Sequence, residues 1–174
     1  MGRVAIDDRL KQKDTERWLT ALQKKTKLSF YSTLKSDLCL EEYLQWEISS
    51  TQRSLYAQLR SGSHQLRIEK GRWVKEKREE RVCKVCITGE VETEAHFMLD
   101  CYVYRNLRDK LFRRIKDTTG YDMGSMKDNQ QWLLDALIGH GLAKRETRRM
   151  VGEAVASFLA VAMRLRTRIL KIVG

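Results

Sequence analysis

Apolar residues recur at three- and four-residue steps through most of this chain, the spacing that puts them on one face of an α-helix. Trp18, Leu19, Leu22, Leu28, Tyr31 and Leu34 follow the rule and predict helix over roughly Asp7 to Asp37. Glu41 to Leu59 continues in kind with Tyr43, Leu44, Ile48, Leu55 and Leu59, and Ser49 or Ser50 is placed to cap a fresh helix. From Ser61 to Cys86 the pattern changes: Gly62 and Gly71 punctuate it, and periodicity is lost in the charged run Lys75 to Arg81. Helix resumes near Thr93, whose hydroxyl suits an N-cap, with Glu94 in the first turn.

A basic helix is expected from Tyr102 to about Thr118, stopped by Gly120. Tyr121 to Asn129 reads as a loop, and Gln130 to Ile138 as a short helix broken by Gly139 and Gly141. The last helix runs from about Lys144 to Val173. Its stripe is Val151, Val155, Phe158, Ala162, Leu165, Ile169 and Ile172. The pattern predicts a mostly α fold, a helical bundle carrying a small zinc-knuckle insertion. Three segments are expected: residues 1–60, helical; 61–120, a zinc-binding module with its flanking basic helix; and 121–174, helices packing on the same core.

Composition sharpens this picture. Forty-two per cent of the residues are hydrophobic, enough for a core, and proline is absent, which argues against a turn-rich β architecture. The formal charge is +11, from 34 Lys and Arg against 23 Asp and Glu, and favours an anionic partner, nucleic acid first. The first ten residues are charged and lack the apolar run of a secretory signal. The longest apolar stretch, Val151 to Met163, contains Glu153 and is too short to span a membrane. The expectation is an intracellular protein, nuclear or cytoplasmic, without membrane contact, whose four cysteines are thiols or metal ligands.

The stretch RVCKVCITGEVETEAHFMLDC, from Arg81 to Cys101, carries the clearest chemistry. Cys83, Cys86, His96 and Cys101 form the pattern C-x2-C-x9-H-x4-C. A C-x2-C pair lets a tight loop present two thiolates to one ion, and the second pair can close a tetrahedron from the two ends of a short helix. Three thiolates and an imidazole suit Zn2+, and four protein ligands leave no open position, so the site would be structural. A redox pair at Cys83 and Cys86, or burial of the four without an ion, are the competing readings. Thr88 to Glu92 has too little apolar content to order itself, so an ion should decide whether the segment folds.

Together with this pattern, LRSGSHQLRIEKGRW (Leu59 to Trp73), Arg81, Glu92, Glu94, Phe97, Tyr104 and Arg108 resemble one known family. It is the zinc-binding module that follows the reverse transcriptase in open reading frames of non-LTR retrotransposons. The resemblance is sharp over Leu59 to Arg108 and looser outside it, although FLAVAMRLRTRIL also looks like that family's final helix. It implies a nucleic-acid-binding accessory region of a polymerase, with the same four ligands. No paired-aspartate polymerase motif or endonuclease domain accompanies it, so the chain would be a C-terminal fragment of such a protein or a separate gene descended from one.

Between Cys86 and Cys101 there is no Lys or Arg, only Glu90, Glu92, Glu94 and Asp100 among charged residues, so the knuckle reads as a staple and not as a phosphate ligand. Candidate contacts to RNA or DNA lie on either side: Arg67, Lys70, Arg72, Trp73, Lys75, Arg78 and Arg81 before it, and Arg105, Arg108, Arg113 and Arg114 after it. Trp73 either stacks on an unpaired base or, the commoner case, anchors a loop. Arg164, Arg168 and Lys171 line one side of the final helix and are read as solubilising more readily than as phosphate contacts. Cys39 is read as a small buried residue, His64 as a capping or packing residue, and His140 as a surface residue. No triad, paired-carboxylate site or glycine-rich phosphate loop is present, so a binding module is expected and not an enzyme. A module docking on the polymerase portion of such a protein, or on a host factor, is the alternative.

Overall fold

The computed structural model describes residues 3–25, 28–35, 38–126 and 129–173. Among them the α-helices are α1 (Arg3–Gln23), α2 (Ser29–Leu34), α3 (Ser50–Arg60), α4 (Arg67–Trp73), α5 (Arg105–Thr119), α6 (Gln130–Leu137) and α7 (Arg145–Val173). The only β pairing among the described residues is one antiparallel bridge between Val82 and Val91. The mostly α expectation holds.

The long helix α7 is the spine. It packs along both α3 and α5, with α6 and the turn Glu42–Gln45 against its first half. Val151, Ala154, Val155, Phe158, Leu159 and Ala162 point inward from it and meet Tyr56, Leu59, Leu66, Phe97, Leu111, Ile115 and Leu137 in one continuous core. The predicted stripe is buried as far as Ala162, then emerges, and Ile172 is exposed. Gly152 lets α7 approach the buried Trp46, because a Cβ there would lie 1.9 Å from Cη2 of that indole.

Local chemistry sets the ends. Ser49 closes a capping box on α3: its hydroxyl accepts the Gln52 N–H at 3.3 Å while the Gln52 side chain accepts its own N–H at 2.9 Å. Asn129 caps α6 through the Trp132 N–H. Gly120 ends α5 in the left-handed conformation, φ 77°, its N–H bonded to the Lys116 carbonyl.

Several boundaries differ from the periodicity. The first predicted helix is two, α1 and α2, joined by turn bonds at Lys25 and Leu28; no apolar residue lies between Leu22 and Leu28 to hold one helix against the core. Thr26, Lys27, Ser36 and Asp37, within that predicted helix, and Lys127 and Asp128, within the predicted loop, lie outside the described residues. Glu41 to Leu59 is not continuous helix either. A 3-10 turn at Glu42–Gln45 gives way to extended backbone at Trp46, whose ring packs on Tyr56. Arg53 donates to the carbonyls of Tyr43, Trp46 and Ile48, satisfying the chain where the helix is broken. Between Gly62 and the charged run from Lys75, where no helix was predicted, α4 forms, two turns long and held by buried Ile68 and Gly71.

Candidate metal centre

The segment after α4 turns back on itself. The Cys83 N–H donates to the Glu90 carbonyl at 2.8 Å and the Glu92 N–H to the Arg81 carbonyl at 3.0 Å, a short hairpin whose tip turns at Gly89, φ 72°. Thr93 then starts a helical turn as its sequence position predicts, its hydroxyl accepting the His96 N–H at 3.0 Å. The turn widens into one of π-helix, His96–Asp100, closed by the Cys101 N–H on the His96 carbonyl at 2.7 Å. Hairpin and π-turn face each other.

Their meeting brings together the four residues of the C-x2-C-x9-H-x4-C pattern. Cys83 Sγ, Cys86 Sγ, Cys101 Sγ and a ring nitrogen of His96 all lie within 4.8 Å of one another, and all four residues are buried. This cluster can hold a metal ion. Cys86 Sγ stands 3.4 Å from His96 Nε2, while His96 Nδ1 pairs with Glu90 Oε2 at 2.7 Å, leaving Nε2 turned to the sulfurs. Backbone N–H groups of Val85 and Cys86 hydrogen-bond the Cys83 sulfur and that of Val103 the Cys101 sulfur, and each favours the thiolate. Protons are shared within the cluster: its hydrogen bond with Cys101, then burial, push the Cys83 thiol up to about 12, and the same bond holds Cys101 below the ordinary thiol value. The hydrogen bond with Cys83 lifts His96 to about 9.

Behind the cluster lies a buried polar strut that the spacing of the sequence did not reveal. Glu92 is fully buried, and Arg166 of α7 is 6% exposed. The guanidinium forks onto the carboxylate with Nε on Oε1 and Nη2 on Oε2, both at 2.8 Å. Glu92 also accepts the Arg67 N–H at the start of α4, at 2.7 Å, and lies 3.8 Å from Cys83 Sγ. One carboxylate thus ties the hairpin to α4 and α7. The lone Arg among apolar residues on the inner side of α7 was the available signal, since a buried arginine needs an acidic partner.

The sequence-predicted nucleic-acid contacts divide. Lys75, Arg78, Arg105, Arg113 and Arg114 are exposed. Arg67 pairs with Glu76, and Arg72 with Glu69 at 2.9 Å, so both are partly neutralised within the chain. Arg81 donates to the Glu76 and Ile68 carbonyls, and Arg108 is buried and donates to the Cys101 carbonyl at 3.3 Å. Arg81 thus ties the segment before Cys83 to α4, while Arg108 is turned inward and holds the Cys101 end of the loop. Trp73 is 63% exposed with Lys70 Nζ 4.6 Å from its ring centroid, so it does not anchor a loop. Cys39 is exposed instead of buried, its sulfur 3.2 Å from Lys35 Nζ. His64 packs as expected, Nε2 on Glu94 at 2.8 Å, and His140 lies on the surface.

A cavity of about 550 Å³ between α2, α3 and the start of α7 holds Lys35, Arg60 and Arg148, but Glu41 and Glu42 pair with all three. Its three cations are thus largely neutralised within the chain, two of them by the one carboxylate of Glu41. No helix among the described residues is long and apolar enough to cross a membrane.

Fold and site define a basic helical protein built round a buried cluster of three cysteines and one histidine. Comparison with protein-family models, curated proteins and solved structures finds no match to the chain.

Proposed function

We propose that this chain is a structural-zinc, nucleic-acid-binding accessory module of the kind that follows the reverse transcriptase in non-LTR retrotransposons. The observation that carries the reading is the convergence of Cys83, Cys86, His96 and Cys101 directly before the cationic helix α5. Bond lengths for zinc of about 2.3 Å to sulfur and 2.0–2.1 Å to nitrogen give tetrahedral edges of about 3.5 Å for S···N and 3.8 Å for S···S. The 3.4 Å between Cys86 Sγ and His96 Nε2 fits the first, and the 4.8 Å limit on the whole set accommodates the second. With four protein donors the ion has no place for water, so its role is to fix the hairpin and the helix that leaves it.

Metal analysis of the purified chain should give one zinc per molecule, and close to none for Cys101→Ser. Binding to a short oligonucleotide should weaken steeply between low and moderate salt, because phosphate contacts release counterions. A parent chain without metal would sink the zinc assignment. A docking module for a protein partner is the competing reading, favoured by exposed Trp73, Val74 and Ile87. Oligonucleotide affinity that is absent, or indifferent to salt, would transfer the function to it.

A further inference from the structure

The nucleic-acid reading leaves open which face of the molecule does the binding, and the unpaired cations single one out. From Ala154 to the end of α7 there is no acidic residue, while Arg164, Arg166, Arg168 and Lys171 fall within it. Arg166 turns inward to Glu92. Arg164 and Arg168, one turn apart, instead border a groove of about 270 Å³ with Leu107, Val161 and Leu165, between α5 and α7. On α5, Lys110 and Arg114 follow Leu107 by three and seven residues, which places both on the same flank of that helix.

Among the described residues, the ion pairs made by α5 and by this half of α7 are Lys116 with Asp122 and Arg166 with Glu92. Lys110, Arg114, Arg164, Arg168 and Lys171 therefore form two rows of unneutralised charge, one on each wall. Asp117, beyond Arg114, is the acid that register brings to this side; Asp109 lies in a different cleft, with Arg105 and Asp100.

Resting on the nucleic-acid reading above, we infer that the α5–α7 groove is the docking surface for a nucleic-acid strand: phosphates lie against the two cationic walls, and sugars and bases against the apolar floor. Arginine forks suit phosphate oxygens, and the floor of Leu107, Val161 and Leu165 offers no hydrogen bond by which a base could be read, so binding is independent of sequence. The glutamates of the metal loop do not reach this face; instead, Glu92 sets its geometry by holding α7 through Arg166.

The test compares the full zinc-loaded chain with Arg164→Ala/Arg168→Ala and with Lys13→Ala/Arg17→Ala, which removes equal charge from the exposed surface of α1. The probe is a labelled mixed-sequence DNA strand of about 20 nucleotides, titrated over about 50 to 200 mM salt. Loss of two phosphate contacts should weaken binding about tenfold or more and flatten the salt slope by about 1.4, at about 0.7 per contact for single strands. The α1 variant should match the parent, and circular dichroism should show both variants folded. If the parent binds and the groove variant binds equally well, or both variants weaken alike, the groove assignment is overturned while nucleic-acid binding stands. Displacement by polyglutamate as effective as by unlabelled strand would overturn it in favour of an acidic protein. A parent that binds no strand overturns both readings.

Discussion

Glu92 shows how much a single residue can decide in this molecule. A carboxylate with no exposed surface is tolerated only where donors replace its water, and here the Arg166 fork and the Arg67 N–H do so. Burial of the pair does not by itself mean net stability, because desolvation offsets much of the attraction. Breaking it is another matter. Arg166→Met keeps the bulk but strands the carboxylate beside Cys83, and should cost about 3–5 kcal/mol in chemical denaturation. Arg164→Met, on the exposed side of the same helix, should cost less than about 0.5 kcal/mol. Equal effects of the two substitutions would show that the strut contributes little. Position alone makes Glu92 look like one more acid in an acidic loop, and only the fold reveals its partner 74 residues away.

At the scale of elements, α3, α5 and α6 were legible because each couples a three- and four-residue apolar rhythm to an explicit cap or stop, Ser49, Gly120 and Gly139, and α7 because its apolar stripe is long. The cluster of Cys83, Cys86, His96 and Cys101 was legible for a related reason, since their spacing places two thiols on one tight hairpin and the other two residues at the ends of one short turn. What could not be read was where rhythm yields to tertiary demand. Tyr43, Leu44 and Ile48 keep helical spacing, yet the chain straightens at Trp46 so that its indole can cover Gly152 of α7. A two-turn helix such as α4 is equally silent in sequence, being held by the hairpin it abuts. The Trp46–Gly152 contact gives an element-level prediction. Gly152→Ala improves intrinsic helix propensity, by up to about 1 kcal/mol, so an isolated helix would gain from it. In the folded protein the added Cβ falls 1.9 Å from a buried ring packed on Tyr56, so the indole or the helix must shift. Thermal unfolding should show a loss of about 3 kcal/mol, since overpacking outweighs propensity. A variant at least as stable as the parent would mean that α7 and the Trp46 turn do not pack as described.

For the molecule as a whole, the question is whether the metal centre is an appendage or part of the core. Phe97 and Met98 occupy the π-turn between His96 and Cys101, and both are essentially fully buried, Phe97 packing on Tyr104 and Phe158 with ring centroids 4.8 and 6.0 Å away. The turn that positions His96 and Cys101 therefore also supplies core side chains that pack against Tyr104 and α7. Removing the ion should not melt a local loop alone. It should withdraw Phe97 and loosen the Glu92–Arg166 strut, so that the bundle loses stability in the same transition. Structural zinc supplies about 10–16 kcal/mol in small fingers, against about 5–15 kcal/mol for a whole domain's stability. The expected result of treatment with a strong chelator is a large drop in Tm read equally by far-UV circular dichroism, which follows α7, and by tryptophan fluorescence, which includes Trp46 and Trp132 of the bundle; restoring zinc should restore both. An unchanged Tm for the helices after metal removal would make the knuckle an independent attachment, and the presentation of the α5–α7 surface would then owe nothing to the ion.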